Sequence, residues 1–156
     1  MVDAPKKDAE GRTIPHDHAE VLNKHNFIRR ISEQFIVTDN DGKGRRLSSA
    51  TLHPSSIEYD IYEGLSGDLE AFLLADGHDP KAFVTSAAHP GSIKFAVETF
   101  RSLGLLVGYD PTTDNQYHGG VWPSADKTAR LTPGVKKRLM KLAEWYVEID
   151  GVSLKK

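Results

Sequence analysis

The amino-acid sequence predicts a single compact α+β domain, in which an antiparallel or mixed sheet built from two β-hairpins packs with three to four helices. Two pairs of apolar segments flank connections rich in Asp, Asn, Gly and Pro, which is typical of hairpins: 35–38 with 45–52, and 105–109 with 120–122. Segments with helical spacing and capping residues lie between and after them. The chain of 156 residues has the length of one domain and contains no internal repeat.

The N-terminal part predicts a flexible tail followed by a helix. Residues 1–15 are polar and contain two prolines, so we expect a tail there and the folded domain over 16–156. Asp17 is suited to cap a helix over about 18–34. The apolar residues that follow have near-helical spacing: Val21, Leu22, Ile28, Ile31 and Phe35.

Capping residues predict the elements in the middle of the chain. Ser66 precedes a helix predicted over 67–75, which Gly77 would end. Asp79 and Pro80 begin a short helical turn, although 82–85 also fits a strand. Residues 92–104 alternate at first and then take helical spacing, which predicts a short strand running into a helix that ends at Gly104.

The C-terminal segment predicts an amphipathic helix. Thr132 is a hydroxyl cap and Pro133 occupies the first helical position, so the helix begins there and ends near Ile149. Its apolar face is predicted to contain Val135, Leu139, Leu142, Ala143 and Tyr146, and its basic face Lys136, Lys137, Arg138 and Lys141.

Composition restricts the class of protein. The absence of cysteine excludes disulfides, thiolate zinc sites and a cysteine nucleophile. The first 18 residues lack the apolar core of a signal peptide, and no segment approaches the ~20 apolar residues of a membrane span, so we expect a soluble cytoplasmic protein with no membrane partner. Residues 61–126 carry 9 acidic and 3 basic side chains, whereas 127–156 carry 8 basic and 3 acidic ones. No cofactor-binding motif is present.

Two polar clusters predict a pocket between the hairpins for an anionic, nucleotide-like ligand. Arg45 and Arg46 would hold the charged group through their planar guanidinium groups. Ser48 and Ser49 follow directly and would donate hydroxyl hydrogen bonds.

His118 is the candidate acid–base residue of the same pocket. It begins the second strand of the second hairpin, and Asp110 and Asp114 are close enough in sequence to orient its ring. If the pocket is catalytic, hydrolysis or group transfer at a phosphate or glycosidic centre fits these residues best.

Three other histidines have a spacing that suggests metal ligation, but they do not form a convincing site. His16 falls in the predicted tail, and His18 and His25 would lie roughly 10 Å apart along a helix. A metal site needs three or four converging ligands, so none is predicted.

Two other functions stay open. The chain would suit a non-catalytic accessory or immunity-type interaction protein, which recognises a partner through the acidic middle segment or the basic helix face. The same basic face would alternatively bind nucleic acid weakly. With a pI near 6.4, nucleic acid ranks last.

Overall fold

Strands supply most of the architecture. The computed structural model describes residues 3–54 and 61–154, which form one compact α+β fold with nine strands in two sheets and four α-helices. The helices are α1 (Glu70–Ala75), α2 (Pro80–Val84), α3 (Val97–Ser102) and α4 (Pro133–Leu142).

The larger sheet has six strands, and every neighbouring pair is antiparallel. In chain order these are β1 (Asn26–Ile31), β4 (Leu65–Leu69), β5 (Gly91–Ala96), β6 (Leu106–Tyr109), β7 (His118–Trp122) and β8 (Glu144–Val147). Their order across the sheet is β6-β7-β4-β1-β5-β8.

The smaller sheet consists of β2 (Ile36–Thr38), β3 (Arg45–Leu47) and β9 (Val152–Ser153). Strand β3 is central, and it pairs antiparallel with β2 and parallel with β9. A short 3₁₀ helix, Ser49–Leu52, follows β3 and packs against α4.

The two faces of the larger sheet differ in chemistry because side chains alternate along each strand. One face is apolar and buried, and helix α3 packs on it through Phe100, whose ring lies 5.3 Å from that of Phe27. The opposite face, which we call the polar face, carries Asp68 of β4 and His118 of β7 in register with each other. Beside them Ile28 of β1, in register with Asp68, packs with Leu73 and Val84 in a smaller apolar cluster. Arg30, two residues after Ile28, lies on that same face.

The two predicted hairpin strand pairs are both present, but they do not build one sheet. The pair β2–β3 belongs to the smaller sheet, whereas β6–β7 forms one edge of the larger sheet. The prediction of one sheet built from the two hairpins is therefore not confirmed. The centre of the larger sheet is formed by β1 and β4, which the sequence did not identify as strands.

The predicted helix over 18–34 is wrong. Strand β1 occupies its second half, and Ile28 and Ile31 are both fully buried, on opposite faces of the sheet. A strand buried on both faces has no strict polar–apolar alternation, so its apolar residues can have a spacing that suggests a helix.

Two helix boundaries are also wrong. Ser66 lies inside β4 and does not cap a helix, since α1 begins only at Glu70. Helix α4 ends at Leu142 rather than near Ile149, because the next residues form β8 and pair with β5. Leu142, expected on the apolar face, is 51% exposed.

Other predicted elements are confirmed. Residues 80–84 are helical rather than extended, and β5 runs directly into α3. Gly77 and Gly104 have a φ of +80° just after their helices, and Thr132 Oγ1 accepts a hydrogen bond from the Val135 amide at 3.2 Å.

The N-terminal segment contacts itself and the larger sheet. Lys7 and Thr13 form an isolated β-bridge, and the His18 amide donates to the Val107 carbonyl of edge strand β6. The domain boundary at residue 15 stays a prediction. In the described part of the chain, no helix has the length and apolar character needed to cross a membrane.

Candidate functional site

The predicted site residues are divided between two cavities. Arg46, Ser48 and Ser49 line a groove against α4, which we call the basic groove. His118 and Asp114 line a cavity on the polar face of the larger sheet, which we call the polar-face cavity. Arg46 and His118 therefore do not line one shared pocket.

The basic groove has a volume of about 1010 Å³. Pro133, Lys136, Lys137, Met140 and Lys141 line one side, and this spacing places them on one face of α4. Strand β3 and the 3₁₀ helix that follows it supply the other side. The groove therefore joins two features that were separate in the sequence, namely the Arg46 cluster and the basic helix.

The charges of the groove are predominantly positive. It is lined by Arg46 and three lysines, and by no acidic side chain among the described residues. Arg46 Nε donates to Asp39 Oδ1 at 2.9 Å, whereas the three lysines form no ion pair with any described residue. Within residues 3–54 and 61–154, three positive charges at one surface are thus left without a counter-ion.

The other predicted groove residues have unequal roles. Ser48 Oγ accepts from the Ala50 amide at 3.3 Å and so caps the 3₁₀ helix. Ser49 lines the groove. Arg45 is absent from the lining and pairs with exposed Glu33.

The polar-face cavity has a volume of about 540 Å³ and contains an ion pair between a partly exposed arginine and a buried carboxylate. Asp68, 2% exposed, accepts hydrogen bonds from Arg30 Nε at 2.9 Å and Arg30 Nη2 at 3.0 Å. Asn115 Nδ2 donates to the same carboxylate at 2.7 Å. Both carboxylate oxygens are satisfied, so the Arg30 guanidinium is held in a fixed orientation.

His118 is oriented by Asp110 and not by Asp114. Its Nδ1 lies 2.8 Å from the Asp110 carbonyl oxygen and 3.5 Å from the Asp110 carboxylate. Burial alone lowers the pKa of His118, but the hydrogen bonds to Asp110 and the charges of Asp110 and Asp68 outweigh it, so the pKa lies above its usual value. Asp114 is exposed at the rim of the cavity.

Arg29 lies deeper, on the other face of β1. Its guanidinium donates to the carbonyl oxygens of Thr51, His53 and Ser66 at 2.8–3.1 Å. Burial lowers the pKa of Arg29 to about 10, so it remains a cation near neutral pH. These contacts tie the segment after β3 to β4 and thereby connect the two sheets.

The N-terminal histidines are held by backbone contacts. His16 Nδ1 lies 2.9 Å from the Ile14 carbonyl oxygen, and its Nε2 accepts from the Tyr109 amide at 3.2 Å. His18 and His25 each accept a backbone hydrogen bond through Nδ1. Within residues 3–54 and 61–154, no three His, Asp or Glu side chains converge in a way that could hold a metal ion.

Sequence reasoning did not assign Arg30, Asp68 and Asn115 to a site. Arg30 falls in the helix predicted over 18–34 and Asp68 in the first turn of the helix predicted over 67–75, so neither was expected to face His118. One signal was available: residues 65–69 alternate between apolar or small and polar side chains, which indicates a half-buried strand.

Comparison with protein-family models, with curated proteins and with solved structures gave no match.

Proposed function

We propose that the protein binds a small anionic ligand of the nucleotide type in the basic groove. The observation that supports this most directly is the set Lys136, Lys137 and Lys141, which face the groove beside Arg46 without an acidic partner among the described residues. Like charges on one helix face repel one another, and a bound polyanion relieves that repulsion.

The rest of the lining suits a ligand that is only partly charged. Leu47, Met140 and Leu154 contribute apolar surface. Ser49 and Thr38 contribute hydroxyl groups that donate to or accept from ligand oxygens. The volume lies near the upper end of the range of about 300–1000 Å³ for small-molecule sites. A phosphate chain on the lysines with a planar group against the apolar surface fits this distribution.

The test is calorimetric titration with adenosine triphosphate and with inorganic triphosphate. Lys136→Gln/Lys137→Gln/Lys141→Gln should weaken both by about tenfold or more, since the loss of even one charge-assisted contact is worth about 1.5–3 kcal/mol. Arg138→Gln is the matched control, because Arg138 is exposed on α4 but does not line the groove. Equal weakening by the control, or no binding by the parent protein, would reject the proposal.

The comparison of the two probes measures the role of the apolar surface. Tighter binding of the nucleotide would assign the planar group to that surface, whereas equal affinities would restrict recognition to the phosphates. Affinity should fall with added salt in either case, since Lys137 and Lys141 are exposed to solvent.

The alternative functions use the same lysines. A weak nucleic-acid binder would prefer a single-stranded oligonucleotide over adenosine triphosphate and show a steep logarithmic salt dependence. A protein-interaction module would bind neither probe and would engage an acidic partner. A cytoplasmic location also stays a prediction.

A further inference from the structure

The polar-face cavity contains hydrogen-bond donors that the fold does not use. Arg30 satisfies Asp68 through Nε and Nη2, which leaves Nη1 without a hydrogen-bond partner among the described residues. The Phe83 ring lies 5.6 Å from the guanidinium carbon of Arg30 and helps to fix its plane. A guanidinium that is held along one edge in this way can donate a hydrogen bond from Nη1 to an acceptor atom of a bound ligand.

His118 supplies a second donor. Because Nδ1 is directed to Asp110, the ring nitrogen left for the cavity is Nε2, which has no hydrogen-bond partner within the described residues. A protonated imidazole held in this way donates an Nε2–H to whatever occupies the cavity.

Ser32 supplies the third donor. Its Oγ is buried and makes no hydrogen bond to the described residues, although Ser32 lines the cavity. A buried hydroxyl without a partner is unfavourable, and rotation of the Ser32 side chain toward the cavity would let a ligand oxygen satisfy it.

The negative charges of the acidic residues near the cavity do not prevent an anion from binding to these donors. The charge of Asp68 is satisfied by Arg30 and Asn115, and that of Asp110 is directed to His118. Asp114 is exposed at the rim, where solvent screens it. Burial and the nearby Arg30 lower the pKa of His89, the other histidine of the lining, so His89 is neutral at neutral pH.

We propose that the polar-face cavity is a second binding site, separate from the basic groove, for the tetrahedral oxyanion of a small phosphate- or sulfate-bearing molecule. Arg30 Nη1, protonated His118 Nε2 and Ser32 Oγ contact its oxygens. These donors come from two segments, the end of β1 with the residue after it and the start of β7. Binding is coupled to protonation of His118.

The test follows the ring signals of His118 by NMR during titration with sulfate, whose charge does not change over the pH range in which a histidine titrates. We expect a saturable shift of these signals and a higher pKa of His118 in the presence of sulfate. Sulfate affinity should fall as pH rises through that pKa. No saturable response of His118 would overturn the proposal.

Variants separate this site from the groove. His118→Gln should weaken sulfate binding about tenfold at acidic pH and remove its pH dependence. Ser32→Ala should weaken it as well, and it keeps the proposal testable if substitution of Arg30 unfolds the chain. Asp114→Asn should strengthen binding, since it removes the only exposed carboxylate of the described lining.

The Lys136→Gln/Lys137→Gln/Lys141→Gln variant is the matched control. It should leave the His118 response unchanged even if it abolishes binding of adenosine triphosphate. A His118 response that disappears in this variant would assign the anion to the groove and overturn the second site. The two proposals can therefore fail independently.

Discussion

The basic groove and the polar-face cavity both contain positively charged side chains, but these side chains differ in their ion-pair partners and in the burial of those partners. In the groove, three lysines have no acidic partner among the described residues, and two of them are exposed. In the cavity, Arg30 is bound to a carboxylate that is almost completely buried. Unpaired surface charges cost the fold little and attract anions, whereas a buried pair fixes geometry and becomes costly once a partner is lost.

The largest expected effect comes from breaking the buried pair. Arg30→Ala leaves Asp68 with Asn115 alone, and we expect the free energy of unfolding to fall by about 3 kcal/mol in urea denaturation. Arg45→Ala is the control, because Arg45 and Glu33 are 43% and 70% exposed and such pairs contribute about 0–1 kcal/mol. If Arg45→Ala lowered the free energy of unfolding as much as Arg30→Ala does, the exposed ion pair would stabilise the fold as much as the pair with buried Asp68. That result would contradict the prediction.

Gly67, which lines the polar-face cavity, should also resist substitution because its Cβ would point into the core on the other face. A Cβ at Gly67 would lie 2.4 Å from the Phe27 ring and 2.6 Å from the Ile28 carbonyl oxygen. Gly67→Ala should therefore lower the melting temperature and reduce the free energy of unfolding by about 1–3 kcal/mol. Gly134→Ala, in α4 with nothing within 4 Å of its Cβ, should instead stabilise the protein by about 0.5–1 kcal/mol.

The third prediction concerns pH. Because the pKa of His118 is raised on folding, its contribution to stability is fully present below its unfolded value of about 6.5 and is lost as pH rises through the folded value. The stability difference between the parent protein and His118→Gln should therefore shrink as pH rises above about 6.5 in urea denaturation. A difference that grows with pH would contradict the raised pKa.

The smallest effect is expected in the groove. Lys137 and Lys141 lie four residues apart on α4, so they repel each other. Lys137→Gln should raise the free energy of unfolding by about 0.2–0.5 kcal/mol while weakening anion binding. A clear loss of stability would show that this lysine has a structural role in the fold.

Sequence reasoning succeeded where a local signal determines the structure. Thr132 and Pro133 mark the start of α4, and Gly77 and Gly104 mark helix ends, because capping depends on neighbouring residues alone. The polar connection between β6 and β7 likewise identified a strand pair.

It failed where burial depends on distant segments. Ile28 and Ile31 have helical spacing, but β4 and β5 flank β1 and make it a central strand. Residues 144–147 continue an apparently helical segment, but pairing with β5 makes them extended. The same pairings bring Arg30 and Asp68 next to His118, so the cavity could not be derived from local pattern.

The sequence by itself determined the α+β class, the two local strand pairs and the start of the basic helix. The tertiary structure alone decided which of them meet. It brought Arg46 to the lysines of α4 and His118 to Arg30 and Asp68, in two cavities rather than one. The physical reason is that capping and turn preferences act over a few residues, whereas strand order and charge pairing are set by segments far apart in the chain.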